Sequence, residues 1–357
     1  MRDYRFGAAA AILAIAVVFG GGCSTKEGKN ESVATVNGED VKLIELREFL
    51  GVRGGVVPVT SLPVEKKKEG LDRLVSGRLI AQDARARGLD NTEEFRNVLS
   101  GNERGIWINA LLRKEIAAKV KIKDSDLKDE AKKIRDADKN LSESDAAAKA
   151  GQAVADREIR KVEEELIAEA KKNAPATVDM VMIGRLGKGE TIGDDAALAT
   201  VGTEKVTFGQ IRGLLQAAAT GAHGAGELSK NPVAIQRVVD REATGHALYA
   251  LAKKKGLEGS EWLKSVRGET ERAVLINLLA EKVAAKESVT DKEIETAYAE
   301  HGQMFLREGK KIPLSQVKDQ LRTFLENAKR RKVFEEYVET LRKKAKITVQ
   351  EGVLPKV

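Results

Sequence analysis

The side chains able to do chemistry are few and scattered. The chain carries one cysteine, Cys23, and three histidines, His223, His246 and His301. A structural zinc site needs several imidazole or thiolate ligands at fixed spacing, and no HExxH or paired-cysteine pattern is present. The glycine-rich GRLGKGETIG, residues 184–193, lacks the GxxxxGK[ST] spacing of a phosphate-cradling loop and reads as a linker. Carboxylate runs such as Glu163-Glu164-Glu165 read as solvated helix faces. His223 falls in a Gly-rich stretch, His246 on a helix and His301 at a helix end, which suits surface or packing roles. No catalytic, metal or cofactor residue is assigned.

Cys23 stands apart because of what precedes it. Arg2 and Arg5 give a basic start, and Phe6 to Phe19 is an apolar run of 14 residues. That run suits a signal-peptide core and is short for a membrane span. It ends in GGGC, followed by a polar stretch to Ser32. The arrangement resembles a bacterial lipobox: Gly21 and Gly22 fit, whereas Gly20 stands where a typical lipobox has Leu. The resemblance implies cleavage after residue 22, diacylation of Cys23 and a tether over residues 23–32. The resemblance also implies that Ser24, rather than Asp, after the cysteine is permissive for outer-membrane sorting in a Gram-negative cell. Each buried acyl methylene contributes about 0.8 kcal/mol, so several chains make a durable anchor.

Organisation comes from an internal repeat. VATVNGEDV, Val33 to Val41, returns as LATVGTEKV, Leu198 to Val206, 165 positions later. Leu43, Leu46 and Leu50 correspond to Phe208, Ile211 and Leu215 at the same offset. DRLVSGRLIAQDARARGL, from Asp72, matches DREATGHALYALAKKKGL, from Asp240, at 168. Trp107 to Asp124 matches Val274 to Asp291 at 167, and Thr177-Val178 matches Thr348-Val349 at 171. Four blocks in one order, with small offset changes, mean a duplicated unit with loop insertions. The expected layout is a first module over 33–183, a linker over 184–197, a second module over 198–350 and a tail over 351–357.

Within each module the pattern predicts a mainly α fold with short β elements. Asn37-Gly38 marks a hairpin turn, since both residues tolerate positive φ. Helices are expected at Leu43–Leu50, Val64–Gly88, Thr92–Ala118, Ser125–Arg135 (with Asp124 as cap) and Val154–Lys172. Residues 140–153 read as a small-residue linker, and TVDMVMI, Thr177 to Ile183, as a strand. In the second module Asn231-Pro232 opens a helix, and further helices are expected at about 260–286, 291–306 and 314–345, before a closing strand at 347–349. Gly51 to Pro63 and Ala217 to Ser229 read as loops. A strand opens each module and a strand closes it. The natural inference is that the two pair, making each module a separate lobe unless terminal elements are exchanged.

Composition agrees with a folded two-module chain. It has 357 residues, 42% hydrophobic, 33% charged and 4% aromatic. The net charge of +7 comes from 62 basic residues interleaved with 55 acidic ones, which describes a solvated surface and not a nucleic-acid footprint.

VATVNGEDV, the following apolar helix and LDRLVSGRLIAQDARARGL resemble the amino-terminal chaperone module of SurA, PrsA and PpiD. VTDKEIETAYAEH and YVETLRKKAKITV resemble its later helices and end. The resemblance implies an extracytoplasmic folding factor that holds unfolded secreted or outer-membrane polypeptides. Many of that family carry a parvulin prolyl-isomerase domain of roughly 90 residues before the last helix. Here that interval is Leu306 to Pro313, with no histidine, and the matching gap of the first module is also short. The reading is therefore a holdase lipoprotein facing the periplasm, without catalysis. The alternatives are an isomerase of the SurA type or a scaffold lipoprotein with one fixed partner. Candidate client contacts are Val56, Val57 and Val59 in the first loop, with Met180 and Met182. If Cys23 carries the anchor, Cys23→Ser moves the protein from the membrane to the soluble fraction; unchanged fractionation contradicts lipidation.

Overall fold

The computed structural model describes residues 31–54, 63–221, 231–285, 287–301, 305–307 and 310–356. The proposed signal peptide, Cys23, Val56, Val57, Val59 and His223 lie outside them. The chain is 75% helix with small antiparallel sheets, as the periodicity implies. In order, the elements are β1 (Ser32–Val36), β2 (Glu39–Lys42), α1 (Leu43–Gly54), α2 (Val64–Ala86), α3 (Glu93–Lys119), α4 (Asp124–Ala137), α5 (Glu143–Asn173), β3 (Ala176–Val178) and α6 (Met180–Gly187). Then follow β4 (Ala197–Val201), β5 (Glu204–Thr207), α7 (Phe208–Gly221), α8 (Pro232–Lys254), α9 (Glu261–Val283) and α10 (Asp291–Glu300). The chain closes with β6 (Leu306–Arg307), β7 (Lys310–Lys311), α11 (Leu314–Lys344) and β8 (Ile347–Val349).

The hairpin β1–β2 turns on Asn37 at φ 51 and Gly38 at φ 86, the paired positive values of a tight hairpin turn. Helix starts follow local chemistry. Asn231 accepts from the backbone N–H of Val233 and Ala234 with Pro232 beside it, and Thr290 forms a capping box with Glu293. Several expectations need correction. Asp124 is the first residue of α4 and not its cap, which is Lys123. Residues 140–153 are no linker: Ser142 caps α5, and the small residues Ala146, Ala150 and Gly151 are buried on it. TVDMVMI is a strand only to Val178. Asp179 then accepts from the N–H of Val181 and Met182, satisfying the donors that start α6. The stretch expected as a loop from Ala217 is helical to Gly221, and its remainder lies outside the described residues. α10 ends at Glu300, and β6–β7 occupy part of the interval before α11.

The duplication is exact enough to match single hydrogen bonds. Ala34, Thr35 and Val36 pair with Val41, Asp40 and Glu39; 165 positions on, Ala199, Thr200 and Val201 pair with Val206, Lys205 and Glu204. Both hairpins have a register irregularity at the same place. Leu43 N–H donates to Glu31 O at 2.8 Å, and Phe208 N–H to Ala196 O at 2.9 Å.

The third strand of each sheet comes from the other repeat. β8 pairs with β1 through Ala34–Val349, Thr35–Thr348 and Val36–Ile347, giving the order β2-β1-β8. β3 pairs with β4 through Val178–Ala199, Thr177–Thr200 and Ala176–Val201, giving β3-β4-β5. The inference that each repeat's own strands pair is thus overturned, and the terminal elements are exchanged. The compact units accordingly do not follow 33–183 and 198–350. One contains residues 99–270 with 47–54; the other contains 31–46, 63–98 and 271–356. α3 and α9 each contribute residues to both. The first unit has a continuous apolar core that runs from Ile106 and Leu111 through Leu166, Ile183 and Leu198 to Ile211, Ile235 and Leu251. The second unit buries Val33, Val36, Leu71, Val75, Leu79 and Leu275, with a satellite cluster at Ile294, Ala297 and Leu321.

In the second unit a buried guanidinium ties hairpin to helix. Arg78, on α2, is 7% exposed and donates to Glu39 Oε1 and Glu45 Oε2, both at 2.7 Å, and to Asp40 O at 3.0 Å. Gln82, one turn on, donates to Val36 O and Glu39 Oε2. Removing one member of such a group strands the others. Arg78→Ala is expected to lower the stability of this unit by about 3 kcal/mol, read by denaturant unfolding; a loss below about 0.5 kcal/mol, the scale of an ordinary surface substitution, contradicts this role.

Candidate functional site

Among the described residues of the second unit, a partly open apolar surface lies on α11. α5 and α11 are both 31 residues long and correspond at an offset of 171. On α5, Ala146, Ala150, Val154, Val162, Leu166 and Ala170 are all buried. Their counterparts on α11 are Val317, Leu321, Leu325, Val333, Tyr337 and Leu341, and only Val317 and Leu321 are buried. All but Val333 are larger side chains, and all are less covered. Phe334 and Val338 flank them half-buried, and Phe324 is 62% exposed.

Two contacts hold this helix. Its first half packs on α10, where Leu321 joins Val289, Ile294 and Ala297, and Leu314 and Leu325 pack against that cluster. Its second half is pinned to α2 by polar groups. Tyr337 donates its hydroxyl to Asp83, and Arg87 donates to both the Tyr337 oxygen and, at 2.7 Å, the Asp83 carboxylate. The Arg87 guanidinium also lies 5.4 Å from the centre of the Tyr337 ring. Burial, then the hydrogen bond to Asp83, pushes the Tyr337 hydroxyl up to about 12, so it remains a neutral donor at any physiological pH. One turn away Arg342 reaches Ser76 Oγ at 2.7 Å, Asp72 O at 2.8 Å and the Asp72 carboxylate at 2.6 Å. Phe334 stacks on Tyr337 with centroids 6.4 Å apart at 23°. A partly open apolar strip results, tied to its neighbours by polar groups. Covering a large side chain there contributes about 1.5–3 kcal/mol at full burial, which suits binding of apolar chain segments.

The structure separates the residues singled out from the sequence. Val56, Val57, Val59 and Cys23 lie outside the described residues. Met180 is 54% exposed in the first turn of α6 beside Val181 at 73%, whereas Met182 packs against the first unit's core. Gly187 ends α6 close against Pro232; a Cβ there would come within 2.5 Å of the proline ring. The α11 strip was readable only as core, because helical spacing shows which residues share a face and not whether anything covers it. One signal existed: the aligned helix has alanines where α11 has Val, Leu and Phe.

His301 is exposed at the end of α10. His246 is different. It sits on α8 at the position corresponding to Arg78, is 9% exposed, and its Nε2 has no hydrogen-bond partner. Glu204 of β5, Arg104 of α3 and Glu242 of α8 are the charged groups acting on it. Arg104 itself pairs with Glu242. Among the described residues no group of side chains is placed to hold a metal ion, and no helix is long and apolar enough to cross a membrane. A cavity of about 420 Å³ beside Lys119, Lys161, Glu158 and Glu165 is walled largely by charged side chains. Comparison of the chain with protein-family models, curated proteins and solved structures finds no match.

Burial, then Arg104, holds His246 below the ordinary imidazole value of 6.5, against the opposite pull of Glu242 and Glu204. The unfolded chain binds the proton near pH 6.5 while the native unit refuses it until lower pH. The stability tied to this histidine is therefore intact above 6.5 and lost as pH falls from there toward the lowered native value. The expected slope is at most about 1.4 kcal/mol per pH unit. His246→Leu is expected to flatten it in unfolding curves taken between pH 7 and 5, and an unchanged slope counts against the assignment.

Proposed function

We propose that this protein is a holding chaperone of the bacterial envelope, anchored through a lipid on Cys23 and built from two copies of a SurA-like module. Its action is binding without catalysis: apolar, extended segments of unfolded secreted or outer-membrane polypeptides lie on exposed apolar surface and are kept from aggregating. The observation that carries the reading is the α11 strip, where the repeat's own counterpart is a fully buried face. Met180 and Val181 offer a second, smaller apolar surface on the first unit. Flexible Met-containing and shallow surfaces suit binders of many partners. The family's isomerase domain is inserted between the elements corresponding to α10 and α11; here that interval holds the short β6–β7 hairpin, which favours a holdase over an isomerase.

The test is suppression of aggregation of a urea-unfolded outer-membrane protein after dilution. Equimolar protein is expected to suppress light scattering, and Phe324→Ser with Val338→Ser to weaken suppression several-fold while circular dichroism stays native. No suppression by the unaltered protein at equimolar ratio rules out holding. Recovery of a single stoichiometric partner by pull-down, in place of many unfolded ones, selects the scaffold alternative.

A further inference from the structure

The two repeats differ at one position of the strip in a way that bears on what binds there. On α5, Ile159 is buried, continuing the apolar face between Ala155 and Val162. Its counterpart on α11 is Arg330, whose exposed side chain has neither an ion pair nor a hydrogen bond among the described residues. Spacing puts it on the strip: Arg330, Val333, Phe334, Tyr337 and Leu341 follow at i, i+3, i+4, i+7 and i+11, one helical face. The neighbouring Lys329 is already engaged with Glu293 at 2.6 Å and Ser288 O at 2.9 Å. A free guanidinium thus heads a partly open apolar face, in the place where the sister helix has a core residue.

We infer that the strip selects apolar segments that carry a carboxylate, with Arg330 as its specificity-determining residue. The inference rests on the holdase reading and narrows its clients. Apolar side chains cover Phe334 and Leu341, and a Glu or Asp of the same segment pairs with the guanidinium in a planar, charge-assisted contact. Beside apolar surface such a contact is screened less than in open water.

Three fluorescein-labelled 12-residue peptides test this, identical in Phe and Leu content and carrying two Glu, two Gln or two Lys. Binding to the full chain is followed by anisotropy at 150 mM salt. The Glu peptide is expected to bind at least fivefold more tightly than the Lys peptide, with Gln between them. Arg330→Glu should reduce that ratio below twofold. Lys343→Glu, the same charge change on an exposed residue away from the strip, should leave it intact. The Arg330 side chain is exposed and makes no hydrogen bond or ion pair among the described residues, so native circular dichroism is expected for its variant. Equal binding of all three peptides, or a Glu preference that Arg330→Glu leaves unchanged, overturns the charge selection alone. If no peptide binds at all, the holdase reading falls with it.

Discussion

The pairing of each hairpin with a strand from the other repeat is the constraint on which this architecture depends. A two-stranded hairpin is marginal in water, and a third strand is what makes a small sheet persist. β1–β2 obtains that strand from residues 347–349, and β4–β5 from residues 176–178. The first sheet therefore joins the two ends of the described chain, as does the contact of Gln350 N–H with Val33 O at 2.9 Å. Contacts so distant in sequence form late, because loop-closure entropy is lost before they repay it. The unit containing 31–46 is complete only once the carboxyl-terminal residues are in place.

Duplication with exchange left the backbone plan common to both units and the chemistry free to diverge. At the joint between hairpin and helix, one unit has Arg78 in a saturated network with Glu39 and Glu45, and the other has His246 with an unpaired Nε2. A buried ion cluster holds one geometry but leaves costly orphans if broken, whereas a buried neutral imidazole ties stability to pH. The same divergence separates α5 from α11. Alanines on α5 allow close packing against α4 and α8, while the bulkier α11 is held at intervals by polar ties and leaves apolar surface partly open.

Much of the fold was legible in residue order. The Asn37-Gly38 turn, the helices at 64–86 and 93–119, and the Asn231-Pro232 start all follow from local chemistry that tertiary contacts do not override. Failures came where local signals were ambiguous. TVDMVMI has strand composition throughout, yet the Asp179 side chain caps a helix inside it. The alanine-rich 143–153 lacks the large apolar residues that mark a helix face, yet Ala146, Ala150 and Gly151 are its buried side. The exchange itself was illegible for a physical reason: Thr177-Val178 and Thr348-Val349 offer either hairpin the same partners in the same register. The apolar residues of α11 could be named from sequence, but their exposure depends on what packs opposite.

Oxidative cross-linking measures the exchange most directly. Opposed residues of an antiparallel pair have Cα atoms about 4.5–5.5 Å apart, within reach of a disulfide. In a Cys23→Ser background, Thr35→Cys with Thr348→Cys should close an intramolecular disulfide in nearly all molecules, while Thr35→Cys with Thr177→Cys should remain as free thiols. The reverse outcome, a bond between 35 and 177 and none between 35 and 348, would mean that each repeat closes on itself and would contradict the exchanged architecture.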